Sequence, residues 1–142
     1  MTSLEPDTGI ELPDTEATPL LRTDFASDHA WQALLTAVRA ESPEGFRANV
    51  EVVNDMRYGR LTNAQLQLDS SRHAVVFIAD ARSMRDPNFL LLCVDSGDAG
   101  RSFRVIASEA WSVENNLSLG NMDFDEFVAA AGEDGIFRGF ST

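Results

Sequence analysis

The sequence predicts an α/β fold: a mixed sheet of about five strands with helices packed on it, in a single domain. Three observations carry that expectation. Residues 74–79 (AVVFIA) and 89–94 (FLLLCV) are continuous apolar runs, the pattern of central strands covered on both faces. Trp31, Leu34, Leu35 and Val38 recur at helical spacing, as do Phe124, Phe127, Val128 and Ala131. The elements read strand, helix, strand, helix, three strands and two helices, which is the order of a layered sandwich.

Residues 1–18 hold Glu5, Asp7, Glu11, Asp14 and Glu16, two prolines and no basic residue. They read as a disordered acidic tail, dispensable for folding, with the domain spanning 19–142. Leu20 and Leu21 open a first strand that ends at Thr23-Asp24. Ser27 or Asp28 caps the helix that carries Trp31. Ser42-Pro43-Glu44-Gly45 is a turn. Phe46, Ala48, Val50 and Val52 then alternate with polar residues, as in a half-exposed strand. Thr62 and Gln65, flanked by Leu61 and Leu66, have the spacing of a capping box and staple that start a short helix.

After the two apolar runs, residues 96–100 (SGDAG) are short enough to make the next strand, 103–107, an antiparallel neighbour. Ser108 is a candidate cap for a helix with Ala110, Val113 and Leu117 on its buried face, closed by Gly120. Asp123 and Glu126 form a second capping box, with Met122 and Phe127 at the ends of a staple. Gly132 ends that helix. Ile136, Phe137 and Phe140 return across the core.

The chain has 142 residues, room for one domain with a real core. No apolar run is long enough for a membrane span, and the N-terminus lacks the basic and apolar regions of a secretory signal. The one cysteine, Cys93, lies in an apolar run and reads as a buried small hydrophobe, which fits a reducing cytoplasm. The formal net charge is −12, and all 11 basic residues are arginine. Such acidity argues against nonspecific binding to nucleic acid or to an anionic membrane. It suits solubility, and it suits a basic partner.

Several segments together carry a resemblance: RTDFASDHAW, EGFRANVEVVND, FRVIASEAWSVENNLSLGNMDFDEF and EDGIFRGF. They resemble a family of small domains of unknown function from high-GC bacteria, over roughly residues 19–140, most specifically in WSVENNLSLGNMDFDEF. The resemblance implies no activity and no catalytic residue.

Chemistry is sparse. Asn115 and Asn116 are poor helix-interior residues. Together with Glu114 and Trp111 they form the candidate binding set, alongside the reading that the two amides hydrogen-bond the next loop and that Trp111 is core. Asp24, Asp80 and Asp95 each follow a strand, where an open α/β sheet binds ligands. They are the candidate Mg²⁺ ligands of an alternative, a phosphoryl-transfer or hydrolytic enzyme. Asp95 is the doubtful member, since an antiparallel strand sends it to the other edge. Residues 115–126 match a calcium loop in register, yet Leu117 and Leu119 stand where oxygen ligands belong. His29 and His73 are isolated, and no Walker, Rossmann or G-x-S-x-G motif is present. The expectation is a non-catalytic, inhibitor- or immunity-like protein-binding module that needs no cofactor.

Overall fold

Ser27 has extended backbone, and its side chain accepts from Ala30 N, so the first long helix, α1 (Asp28–Arg39), starts where the sequence places it. Trp31, Leu34, Leu35 and Val38 are all buried. A computed structural model describes residues 10–59, 61, 66–67 and 71–140. The strands are β1 (Ile10–Glu11), β2 (Thr18–Arg22), β3 (Val50–Val53), β4 (Leu66–Gln67), β5 (Val75–Ala79), β6 (Leu90–Asp95), β7 (Asp98–Ile106) and β8 (Ile136–Phe137). The other helices are α2 (Ala81–Arg85), α3 (Ala110–Ser118) and α4 (Phe124–Ala131).

The main sheet has six strands in the order β3-β2-β5-β6-β7-β8, and β1 pairs with β4 beside it. β2 is parallel to β3 and β5, and β8 is parallel to β7. β6 alone runs against its neighbours. The fold is therefore α/β with a mixed sheet, one strand larger than expected. β5 and β6 lie at its centre, and the two faces hold separate cores. Leu20, Phe77, Leu91, Cys93 and Phe103 pack with residues of α1, α3 and α4 on one side. Leu21, Val53, Tyr58, Val76, Ile78 and Val94 form the other. Burial of the two apolar strands on both faces explains why their sequences do not alternate.

Several expected boundaries move. Phe46 does not belong to a strand: β3 starts at Val50, and Phe46 is half exposed. The strand expected to open at Leu20 is β2 and starts at Thr18, and Thr15 and Thr18 are buried. The fold thus reaches upstream of residue 19; residues 1–9 lie outside the described residues. The helix expected from Thr62 falls largely outside them as well, and Leu66 belongs to a strand. A 3-10 turn, Ala107–Glu109, leads into α3 without a side-chain cap, so Ser108 does not serve as one. Val128 is exposed, leaving Phe124, Phe127 and Ala131 as the buried face of α4.

The second capping box is present in full. Asp123 Oδ1 accepts from Glu126 N at 3.1 Å, and Glu126 Oε1 accepts from Asp123 N at 3.0 Å. Met122 packs against the core that contains Phe127. Phe127 stacks on Phe103 and meets Phe137 edge to face, so the returning C-terminal segment is fastened to the sheet by rings. β3 and β8 are the outer strands. On β3, Glu51 Oε1 accepts from Glu16 N at 2.9 Å.

Candidate functional site

The strand-end aspartates do not converge. Arg22 of β2 pairs with Ala79 of β5, so Asp24 and Asp80 follow neighbouring strands at one edge of the sheet. Asp95 pairs across to Val75, the start of β5, and so sits at the opposite edge. There it meets Arg101 at 2.8 Å, and Arg101 also pairs with Asp125 on α4. The antiparallel course of β6 removes Asp95 from any shared site with the other two.

Asp80 is engaged by its own fold. Its side chain caps α2, accepting from Ser83 N at 3.1 Å, while Ser83 Oγ accepts from Asp80 N. Arg104, projecting from β7, donates to both carboxylate oxygens at 2.8 Å. Burial alone would raise this carboxyl; the Arg104 and Ser83 hydrogen bonds outweigh it and hold Asp80 below its ordinary value. Asp24 accepts from Ala26 N at 2.9 Å, turning the chain into α1, and borders a cleft of about 440 Å³ with Phe25, Met56 and Gly59. Among the described residues, no three His, Cys, Asp or Glu side chains gather closely enough to hold a metal ion together. Asn115, the first position of the would-be calcium loop, lies in α3.

Glu114 is a buried junction. Only 4% exposed, it accepts from Asn49 N at 2.7 Å and Asn115 Nδ2 at 2.9 Å through Oε1. Its Oε2 accepts from Ser118 Oγ at 2.7 Å and from Thr18 Oγ1 at 3.5 Å. Two chain segments are thereby tied to α3: the start of β2 and the approach to β3. Asn115 Nδ2 also donates to Arg47 O at 2.9 Å. Asn116 donates to Ser112 O, and its carbonyl accepts from Asn121 N and Met122 N as the helix ends. Of the four candidates, Glu114 and Asn115 share one network, Asn116 fixes the helix break, and Trp111 stands apart. A polar cleft of about 230 Å³ opens beside Glu114, Thr18, Arg72 and His73, and His73 Nε2 lies 3.0 Å from Thr15 O.

Trp111 is half-buried against Phe46: the ring centroids are 5.4 Å apart and the planes 10° from parallel. Phe46 remains 50% exposed despite that stack. The pairing brings residues 44–46 beside 109–111. Glu109 lies against Gly139, and burial together with the charge of Glu44 raises its carboxyl above the ordinary value. Phe140, also half exposed, packs on Phe127 and Phe137. Phe46, Glu44 and Glu109 were not singled out from the sequence. The signal available was a repeated spacing, acid-x-aromatic, in Glu44-Gly45-Phe46 and Glu109-Ala110-Trp111. Cys93 is fully buried, and burial pushes its thiol well up, so it stays protonated.

No helix among the described residues is long and apolar enough to cross a membrane. No curated protein matches the chain. Residues 17–140 match the model of a domain of unknown function, DUF6924, over nearly all of the described fold, and the chain belongs to that family.

Proposed function

We propose that this protein is a non-catalytic module that binds another protein, one with a basic face, in the manner of an inhibitor or immunity protein. The observation that carries the reading is the Phe46–Trp111 stack, a large aromatic surface held in a fixed geometry and left half open. Aromatic anchors of this kind dominate the energetics of protein interfaces. The net charge of −12 favours encounter with a basic partner and disfavours polyanions. A reducing cytoplasm suits a chain whose one cysteine is buried. The Mg²⁺-dependent alternative would have to free Asp80 from Arg104 and work without Asp95, which lies at the other edge.

The test is affinity capture from the native cell extract with the full chain and with Phe46→Ser, read by mass spectrometry. A protein retained by the parent and lost by the variant is the expected result. An identical retained set for both, or none for either, would count against the reading.

A further inference from the structure

We infer that the polar cleft beside Glu114 binds a small zwitterion, an α-amino acid with a short side chain, its ammonium set on Glu114, Thr18 and Ser118 and its carboxylate on Arg72. The inference stands apart from the protein-binding reading: it involves neither Phe46 nor Trp111 and concerns another class of ligand.

The cleft lies at the amino ends of parallel strands. Thr18 opens β2, Asn49 precedes β3 and Ala74 precedes β5, and all three line it. Glu114 and Ser118 reach the same space from α3, and Arg72 and His73 from the segment before β5. Of the described residues that line it, only Ala17, Ala74 and Leu117 are apolar. Its volume of about 230 Å³ falls below the ~300–1,000 Å³ of pockets for drug-sized ligands, so its occupant is small.

Two opposite charges line this cleft without pairing. Glu114 is buried, and its four hydrogen bonds among the described residues all come from uncharged donors: Asn49 N, Asn115 Nδ2, Ser118 Oγ and Thr18 Oγ1. A carboxylate taken out of water is ordinarily paired with a cation. Among the described residues, no ion pair engages Glu114 and none starts from Arg72. Arg72 instead donates to Thr15 O at 3.2 Å, and His73 Nε2 lies 3.0 Å from the same oxygen. The backbone at Thr15 thus anchors the cationic side, α3 anchors the anionic side, and the fold keeps them apart. A ligand with both charges in one small body satisfies the two at once, which an amine or a carboxylate alone does not. Glu114 Oε2 has the opening. Ser118 Oγ takes one site at 2.7 Å, while Thr18 Oγ1 stands at 3.5 Å, the limit of a hydrogen bond. Thr18 Oγ1 and Ser118 Oγ are also 3.5 Å apart, so the three donors of an ammonium find three oxygens close together. Three oxygens fall short of the six or so that a hard metal cation needs. The guanidinium of Arg72 suits a carboxylate, which it grips with paired donors. Glu16, exposed on the rim, adds a negative charge that disfavours an acidic side chain on the ligand.

The test is titration of the full chain, followed by NMR, with glycine, L-alanine and L-serine, and with methylammonium and acetate as the two single charges. At least one of the three amino acids is expected to shift the Asn49 backbone amide and the Asn115 side-chain amide, both donors to Glu114, in a saturable way. Methylammonium and acetate should each bind about tenfold more weakly or worse, the loss of one charge-assisted contact. Arg72 is at the surface, so Arg72→Gln keeps the fold. That variant should weaken the amino acid to the level of methylammonium and leave methylammonium itself unchanged. No saturable shift at these two amides from any of the three amino acids at millimolar concentration would overturn the inference. So would a single-charge probe that binds as tightly as the amino acid, or an Arg72→Gln chain that keeps full affinity for it.

Discussion

Asp80 and Arg104 are 24 residues apart in sequence and meet through two hydrogen bonds of 2.8 Å, both side chains largely withdrawn from water. Replacing the carboxylate by an amide leaves Arg104 without its ion-pair partner, while the amide oxygen can still cap α2. Asp80→Asn should therefore cost about 2–3 kcal/mol at neutral pH, between the values for exposed and fully buried pairs. Because the folded carboxyl titrates below its unfolded value, this contribution is complete above the unfolded pKa and fades as pH falls through the folded one. Urea melts of parent and variant from pH 7 down to 3 should converge at the acid end. Glu109 has the opposite sign. Its folded carboxyl titrates above the unfolded one, so ionisation weakens the fold as pH rises through that window. Glu109→Gln should melt higher than the parent at pH 7 and level with it at pH 3. A variant that melts lower at pH 7 would mean that the charge is compensated. Neither partnership was legible in the sequence: Arg104 reaches Asp80 from β7 with β6 between their strands, and Glu109 meets Glu44 and Gly139 from distant parts of the chain, and spacing along the chain carries no trace of either.

At the scale of elements, local signals read well and long-range claims on the backbone did not. α1 and α4 announce themselves through caps and apolar spacing, because both act within one or two turns. The alternation from Phe46 to Val52 is equally regular, yet its first half is not strand. Phe46 N donates to Ser42 Oγ, and Asn49 N is taken by Glu114, 65 residues away. A side chain from another helix thus claims a donor that a ladder would have used, and it carries Phe46 to Trp111. The two asparagines were legible as unusual for a helix, and Glu114 as a candidate beside them, but their partners were not. For α4 the expected outcomes are specific. Asp123→Ala should cost about 0.5–2 kcal/mol by loss of the cap. Phe127→Ala should cost about 3–5 kcal/mol, since it removes a fully buried ring in contact with Phe103 and Phe137. Glu126→Gln should be nearly silent, because glutamine fills the same half of the box. Denaturant melts rank the three; Phe127→Ala melting like the parent would detach α4 from the sheet.

For the molecule as a whole, the acidic N-terminal stretch is where composition misled. Five carboxylates and two prolines within residues 1–18 read as tail, yet Thr15 is buried beside His73 and Thr18 begins a strand flanked on both sides. Sparse apolar content says little about a segment whose place is secured by backbone pairing. A chain beginning at Thr18 should melt more than about 5 °C below one beginning at Ile10, given a few degrees per kcal/mol for a domain of this size. Equal melting temperatures would return these residues to the status of a tail. The outer strand β3 has one further consequence. Its sequence is VEVV, and no described strand pairs with its far side. An unpaired run of β-branched residues is a template for another chain to add to, and an edge carboxylate is a common defence. Glu51→Val would leave four valines in a row along that edge. The variant should scatter light in proportion to concentration under mild denaturation, where the parent stays clear. A single glutamate on the rim of the sheet would then be what keeps copies of this chain from zipping together.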